Sequence, residues 1–270
     1  MELRLLETAE VRIHEEVMPT LLRQVVDSIT HLRLLKDPVL VDRRSRTVLD
    51  GTHRVGALLH LGIPLMPCCL LDYSDAGVRV HRWYRTFPDA GPLPDILSQV
   101  CVVSVSRSEA RRLLSEGEAK VALATKNEVH MVPGTKDPVD SSWSASDLEF
   151  RFRRMGVSAS YETELDAFHK LDADEAALVL MYQPMTKEDV VLSARSERLF
   201  AHKSTRHVVP ARPLGVNIPL DVLTPRGEED ETTRRFRSIV LRRKVVDLGP
   251  GGIIEGRRYE ENVYWFGDEA

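Results

Sequence analysis

The chain has few cysteines and no extended apolar run. Its 270 residues include only Cys68, Cys69 and Cys101, a number and spacing that provide neither a disulfide framework nor a CxxC metal site. No apolar stretch approaches the roughly 20 residues of a membrane-spanning helix, and the first residues lack the apolar core of a signal peptide. We therefore expect a cytoplasmic protein that folds without disulfides and has no membrane partner.

The chain also lacks a strong excess of charge of either sign. The 37 Lys and Arg residues face 41 Asp and Glu residues, which gives a formal net charge of −4. This balance makes nucleic acid an unlikely partner, because dedicated nucleic-acid binders are usually basic. A basic cluster at 234–237 follows an acidic run at 228–231, which favours an exposed helix with opposite charges at its two ends.

The first ninety residues alternate strand-like apolar runs with helical periodicity, which indicates a mixed α/β fold. The pattern predicts strands at 3–6, 38–42, 47–50 and 64–73, and helices at 17–32 and 52–61. A Pro/Gly-rich stretch at 88–94 then interrupts both kinds of element. We therefore predict an N-terminal domain over 1–88 and a C-terminal α/β lobe over 95–270.

Periodicity in the second lobe predicts a further set of elements. These are strands at 100–105, 119–124, 128–132 and 179–182, helices at 107–116, 146–155 and 162–170, and a helix capped near Thr186.

The segment Asp50-Gly51-Thr52-His53-Arg54 follows a predicted strand and opens a predicted helix. Free amides and the positive end of the helix dipole favour an anion there, glycine lets a phosphate approach the backbone, and His53 and Arg54 add donors. The alternative is a plain strand-turn-helix in which Thr52 caps the helix and Arg54 is a surface charge. Spacing alone leaves both interpretations open.

The run P-V-L-V-D…V-L-D-G-T-H-R-V-G-A-L-L-H-L-G-I-P…D-Y over 38–73 resembles the ParB/sulfiredoxin-like domain, in which this turn binds nucleotide phosphates. No cysteine of the sulfiredoxin type occurs in the box, and the G-E-R-R box of the chromosome-partitioning CTPases is absent. D-G-x-H-R with an upstream His-Glu is instead similar to the free L-serine kinases. That resemblance implies transfer of a phosphoryl group from ATP or ADP to L-serine, in a cleft between a ParB-like lobe and a second lobe.

The upstream match is His14-Glu15-Glu16. In the free L-serine kinases a glutamate directly after such a histidine is the catalytic base, so the resemblance implies this role for Glu15, with Glu16 as the near alternative. A carboxylate suits the task, because the serine hydroxyl needs a proton acceptor. Without the resemblance, both acids are expected to be solvated residues of a helix's first turn.

A third match lies far downstream, in a segment that resembles the kinases' own T-R-H segment of the substrate and phosphate pocket. Its candidate donors are Lys203, Ser204, Thr205, Arg206 and His207. A solvated basic loop is the alternative. Trp83 could line the same cleft, although a half-buried strand explains its alternating neighbours equally well.

The sequence contains no HExxH motif and no His/Cys cluster with zinc spacing, so we expect Mg²⁺ to accompany the nucleotide. Asp50 is a candidate for holding that magnesium or for positioning the substrate hydroxyl. Two other functions remain open: a ParB-like, nucleotide-dependent DNA-binding regulator, and a kinase of another small hydroxylated metabolite. The sequence does not choose between ADP and ATP and does not fix the oligomeric state.

Overall fold

The elements follow the mixed α/β pattern expected from the sequence. A computed structural model describes residues 2–134, 136–225, 229–254 and 257–269. The helices are α1 Pro19–Leu32, α2 Thr52–His60, α3 Leu93–Leu97, α4 Arg107–Glu116, α5 Pro138–Arg154, α6 Glu164–Asp172, α7 Lys187–Ser196, α8 Leu220–Leu223 and α9 Glu229–Arg242. The strands are β1 Glu2–Glu7, β2 Leu34–Leu35, β3 Val39–Asp42, β4 Val48–Asp50, β5 Leu65–Leu71, β6 Arg79–Arg82, β7 Tyr84–Phe87, β8 Val103–Val105, β9 Ala119–Ala124, β10 Val129–Pro133, β11 Ser160–Glu162, β12 Leu178–Tyr182, β13 Thr205–Val208, β14 Arg212–Leu214, β15 Ile218–Pro219, β16 Arg243–Asp247, β17 Ile253–Ile254, β18 Arg257–Arg258 and β19 Val263–Glu269.

The chain forms two compact units. Unit 1 contains residues 1–79 and 207–270, and unit 2 contains residues 80–206. These bounds differ from the division at 88–95 predicted from the Pro/Gly-rich stretch. The reason is that β7, which precedes this stretch, already pairs with β11 and β12 in the sheet of unit 2.

Unit 1 contains a four-stranded sheet of order β1-β5-β3-β4, in which β3 and β5 are parallel and the other pairs are antiparallel. Helices α1 and α2 supply apolar residues to its core, among them Ile29, Val55 and Leu58. The C-terminal segment adds Phe236 from α9 and Phe266 from β19 to the same core. Burial of these side chains explains why the last residues belong to this unit, since apolar burial is the main driving force for folding.

A second sheet of unit 1, of order β14-β19-β16, places β14 next to β19. The pairing of Arg212 with Val263 in this ladder brings the residues after β13 beside the C-terminal strand.

Unit 2 is built on a six-stranded sheet of order β11-β7-β12-β9-β10-β8, whose neighbours are all antiparallel. Helices α4 and α6 cover it through Ala110, Leu114 and Phe168. Helix α5 begins earlier than predicted because Asp137 caps it, accepting hydrogen bonds from the amides of Val139 and Asp140, and Pro138 takes the first helical position.

Helix α9 confirms the expectation of an exposed helix with separated charges. Its first turn carries Glu229, Asp230 and Glu231, its basic residues at 234, 235 and 237 are exposed, and only Thr232 and Phe236 are buried. Glu228, the first residue of the predicted acidic run, lies outside the described residues. Across the part of the chain that the structure describes, every helix is too short or too polar to span a membrane.

Candidate active site

The turn between β4 and α2 depends on Gly51, which adopts φ 105° and ψ 23° and is the N-cap of α2. A Cβ atom at this position would lie 2.8 Å from both Nε and Nη2 of Arg54. Thr52 is the first residue of the helix and Gly51 takes the N-cap position, contrary to the plain strand-turn-helix alternative in which Thr52 caps the helix. The turn therefore presents a helix N-terminus whose first amides have no partner within the helix, which suits an anion.

Arg54 folds back across this glycine. Its Nη1 donates to the carbonyl oxygens of Asp37 and Pro38, each at 3.1 Å, and its Nη2 lies 3.5 Å from Oδ2 of Asp50. Its side chain is 19% exposed, so Arg54 is not the surface charge of the alternative interpretation. The guanidinium braces the turn and contributes positive charge at its rim.

Asp50 is held by a second arginine, which sequence reasoning did not find. Nη1 of Arg212 lies 2.5 Å from Oδ2 of Asp50, and Nε of Arg212 lies 2.5 Å from Oε1 of Glu261. Burial lowers the pKa of Arg212, but the charges of Asp50 and Glu261 outweigh burial and hold that pKa above its ordinary value. The buried cation is thus paired on two sides, as a buried charge must be.

His14 attaches the His-Glu segment to the end of β4. Its Nδ1 lies 2.6 Å from the carbonyl oxygen of Val48, so Nδ1 is the donor and carries the proton. Burial lowers the pKa of His14, against the opposing charges of Glu15 and Asp50. His14 is therefore neutral near pH 7 and has both carboxylates within electrostatic range.

The same segment is held a second time at the start of α2. The amide of Met18 donates to Nε2 of His53 at 3.0 Å, which leaves the proton of a neutral His53 on Nδ1. Glu15 and Glu16 lie between the two attachments and are both half-buried. The structure therefore brings the His-Glu motif to the D-G-T-H-R turn, although 34 residues separate His14 from Val48.

His207 belongs to unit 1 and lies against His14. The two rings meet edge to face with centroids 5.5 Å apart, and the hydroxyl of Tyr73 lies 2.7 Å from Nε2 of His207. Burial, together with His14 and Arg212, lowers the pKa of His207 well below its ordinary value. His207 is therefore a neutral, buried ring.

Residues 203–206 belong to unit 2, where they form a cluster of cations and aromatic rings. Nζ of Lys203 lies 5.2 Å from the ring centre of Trp83, and the guanidinium of Arg206 lies 5.5 Å from the same ring. The carbonyl oxygen of Ser204 accepts a hydrogen bond from the hydroxyl of Tyr182 at 2.6 Å. Ser204, Thr205 and Arg206 are buried, which excludes the solvated basic loop.

Trp83 lies between β6 and β7, and its amide donates to the carbonyl oxygen of Ser204 at 3.4 Å. Its neighbours do form a half-buried strand, because β6 alternates exposed and half-buried residues, and Trp83 directly follows that strand. Its contact with two cations is typical of cation–π packing, with the ring face toward positive charge.

Cysteine chemistry is excluded near the turn. Cys68 and Cys69 are free and buried in β5. Burial raises the pKa of Cys69 to about 11, and it raises the pKa of Cys68 further. Neither thiol is ionised at neutral pH, so neither is an activated nucleophile.

Among the described residues, no three His, Cys, Asp or Glu side chains are grouped so that they could hold a metal ion. Asp50, the magnesium candidate from the sequence, ends β4 beside the turn, and its side chain is 28% exposed. A single carboxylate suits magnesium that arrives with nucleotide phosphates, because such magnesium takes most of its ligands from phosphate and water.

Comparison with known proteins supports the resemblance seen in the motifs. None of the protein-family models compared with the chain matches it. An ATP-dependent L-serine kinase of Staphylothermus marinus is 24% identical over 233 residues, which cover 81% of this chain and 90% of that protein. An ADP-dependent L-serine kinase of Thermococcus kodakarensis is 23% identical over 223 residues, which cover 81% of this chain and 91% of that protein.

Solved structures extend the similarity to the fold. A free serine kinase in complex with AMP superimposes with a TM-score of 0.71 at 23% sequence identity, over 82% of this chain and 93% of that one. The mixed α/β fold expected from the sequence is confirmed. The resemblance to the free L-serine kinases is confirmed as well, over most of the length of the chain.

Proposed function

We propose that this chain is a free L-serine kinase, which transfers the terminal phosphoryl group of ATP or ADP to the hydroxyl of L-serine and yields O-phospho-L-serine. The observation that carries the proposal is the attachment of the His14-Glu15 segment to the β4–α2 turn through His14 and His53. It supports the proposal because Glu15, the candidate base, lies in a segment attached to the turn that we propose binds phosphate. Similarity to L-serine kinases over 81% of the chain supports the same assignment.

The nucleotide phosphates bind at the turn. The backbone amides from Gly51 to Arg54 and the positive end of the α2 dipole face the phosphates, and Arg54 and His53 add side-chain donors at the rim. Mg²⁺ neutralises phosphate charge when it is bound with the nucleotide, and Asp50 is the residue that would hold it. The curated relatives include both ATP- and ADP-dependent kinases, so the donor is one of these two nucleotides.

Glu15 is the base. Its carboxylate accepts the proton of the serine hydroxyl while the serine oxygen bonds to the terminal phosphorus and the bond from that phosphorus to the bridging oxygen breaks. The shortened nucleotide leaves with the electron pair of that bond. Neutral His14 keeps the segment in place through its Nδ1 bond to Val48, and burial lowers its pKa, which makes it a weaker proton acceptor.

The substrate donors lie in unit 2. Lys203 and Arg206 supply positive charge beside Trp83 for the carboxylate of serine or the phosphate of the product. Ser204, whose carbonyl oxygen accepts from Tyr182, anchors the segment between them, and Thr205 begins β13. Within unit 1, His207 contacts His14 and Tyr73 and so supports the segment that carries Glu15.

The test is a panel of ATP, ADP and other nucleotides against free amino acids and small hydroxylated metabolites, assayed for phosphorylated product. The proposal expects O-phosphoserine with ATP or ADP and little product from threonine or glycerol. Product from another hydroxylated metabolite alone would make the chain a kinase of that metabolite. Salt-dependent DNA binding without any phosphorylated product would instead favour a ParB-like regulator.

A further inference from the structure

Arg212 is bound through all three nitrogens of its guanidinium group. Nε contacts Glu261 at 2.5 Å, Nη1 contacts Asp50 at 2.5 Å, and Nη2 donates to the carbonyl oxygen of His207 at 3.0 Å. The side chain is 2% exposed. A planar guanidinium fixed at three points has no rotational freedom left, so its partners are fixed relative to one another.

The partners of Arg212 come from three separated parts of unit 1. Asp50 ends β4 at the phosphate turn, His207 lies in β13, and Glu261 precedes β19. The ring face of Tyr259 lies 5.6 Å from the guanidinium carbon and closes the arrangement on another side. The segment after residue 206 thus sets where the Asp50 carboxylate lies.

Glu261 shares the positive charge of Arg212 with Asp50. With Asp50 as its single counter-ion, a buried arginine would neutralise that carboxylate and hold it as a structural pair. Glu261 is 7% exposed and supplies a second negative charge to the same guanidinium. Arg54 also lies 3.5 Å from Oδ2 of Asp50, so two arginines and two carboxylates balance in charge at this place, and Glu261 offsets the second arginine.

We propose that Arg212 and Glu261 are positioning residues for phosphoryl transfer. Arg212 orients the Asp50 carboxylate at the β4–α2 turn and links it to the backbone of His207, and Glu261 fixes Arg212. The proposal rests on the kinase function proposed above. Neither residue touches a substrate; both act through Asp50.

The test compares Glu261→Gln with Glu149→Gln in the whole chain. The second controls for the loss of a carboxylate from a buried arginine, because Arg85 in unit 2 has a 0% exposed side chain and lies 2.5 Å from Glu149, as Arg212 does from Glu261. Glu149 also accepts from the hydroxyl of Tyr161, whose ring centre lies 6.0 Å from Nζ of Lys203, so an indirect effect on the substrate donors should appear in the KM of serine. Each substitution replaces a carboxylate on a buried arginine by an amide of the same shape. Only Glu261→Gln acts on an arginine that holds Asp50.

For Glu261→Gln we expect kcat to fall by about tenfold or more, a size typical of partners behind a functional ligand. The Kd of the nucleotide and the KM of serine should stay within about threefold, because the donors to phosphate and serine remain. Arg212→Lys keeps the positive charge but loses the planar guanidinium, so it should lower kcat as Glu261→Gln does. If Glu261→Gln and Glu149→Gln have the same kcat per folded molecule, the positioning role is wrong while the kinase function stands.

A second measurement does not depend on activity. In denaturant unfolding, Asp50→Asn, Glu261→Gln and the double variant form a cycle that measures coupling between the two carboxylates through Arg212. Non-additive effects on the free energy of unfolding are expected, and additive effects would overturn the proposal even if wild type proved inactive on serine. If Glu261→Gln does not fold, Glu261→Asp replaces it in both experiments with the same expected directions.

Discussion

Replacing Gly51 by alanine tests the architecture of the β4–α2 turn, the proposed phosphate site. The residue adopts φ 105°, outside the small left-handed region open to other residues, and the new methyl group would lie 2.8 Å from two guanidinium nitrogens of Arg54. Backbone strain of this kind costs about 1–3 kcal/mol. Moving Arg54 also breaks its hydrogen bonds to Asp37 and Pro38, and bonds made by a charged group contribute about 1.5–3 kcal/mol.

Gly62 provides the matched control at the other end of the same helix. It adopts φ 64° and a Cβ there would meet no atom within 4 Å, so Gly62→Ala introduces only left-handed strain of about 1–2 kcal/mol. We expect Gly51→Ala to lower the free energy of unfolding by about 2–3 kcal/mol more than Gly62→Ala does, since only it displaces Arg54.

Urea unfolding of both variants measures the difference in stability, and calorimetry measures nucleotide binding. Gly51→Ala should weaken the binding of ADP or ATP, whereas Gly62→Ala should bind as wild type does. The reasoning would be refuted if the two variants lost equal stability and bound nucleotide equally well.

Three further predictions follow from the site. Millimolar ATP or ADP with Mg²⁺ should raise the melting temperature, because a ligand that binds only the folded state stabilises it. An unchanged melting temperature together with no heat of binding would show that the proposed phosphate site is wrong. Arg206→Ala should raise the KM for serine or weaken phosphoserine binding about 10- to 150-fold, the equivalent of roughly 1.5–3 kcal/mol for a charge-assisted bond, and unchanged kinetics in a folded variant would count against a substrate role. Burial lowers the pKa of His14 and His207 below the ordinary 6.5, so below pH 6.5 the unfolded chain binds more protons than the folded one. The free energy of unfolding should therefore fall as the pH falls, by up to about 1.4 kcal/mol per pH unit for each ring. Urea unfolding between about pH 7.5 and 5.5 checks this, and His207→Gln should reduce the dependence of the free energy of unfolding on pH.

Local sequence patterns were sufficient to predict the candidate turn. The apolar run before Asp50, the glycine after it and the helical spacing that follows predict a strand, a turn and a helix, and the structure has β4, Gly51 and α2 at those places. Such elements depend on neighbours in the chain, so their signal lies within a short window. The predicted strand at 64–73 and helix at 17–32 were found for the same reason, with ends shifted by one or two residues.

The two compact units depend on contacts between distant residues, and the sequence carried little sign of them. Residues 88–94 look like a boundary because proline and glycine interrupt local structure, yet β7 before them and β12 far after them are neighbours in one sheet. The return of residues 207–270 to unit 1 depends on Phe236 and Phe266 entering its core. The sequence shows that these residues are apolar, but it does not show which distant residues they pack against.

The partners of Asp50 were missed for a similar reason. Arg212 lies beyond the candidate donors at 203–207, and no spacing rule links residue 212 to residue 50 or to Glu261. Tyr73 ends an apolar run and gave no sign that its hydroxyl meets His207. Long-range pairs of charged and polar groups become visible only when strand order is known, and these pairs join β13, β14 and the start of β19 to β4 and the end of β5.

The most direct test of the proposed chemistry is the rate of O-phosphoserine formation by Glu15→Gln and Glu16→Gln. An amide keeps the shape of the carboxylate but cannot accept the serine proton, so Glu15→Gln should lower kcat by about 10²–10⁴-fold and leave nucleotide affinity nearly unchanged, while Glu16→Gln should remain close to wild type. Loss of activity in Glu16→Gln alone would identify Glu16 as the base. Near-normal kcat in both variants would contradict the account, because neither carboxylate beside the phosphate turn would then be the base.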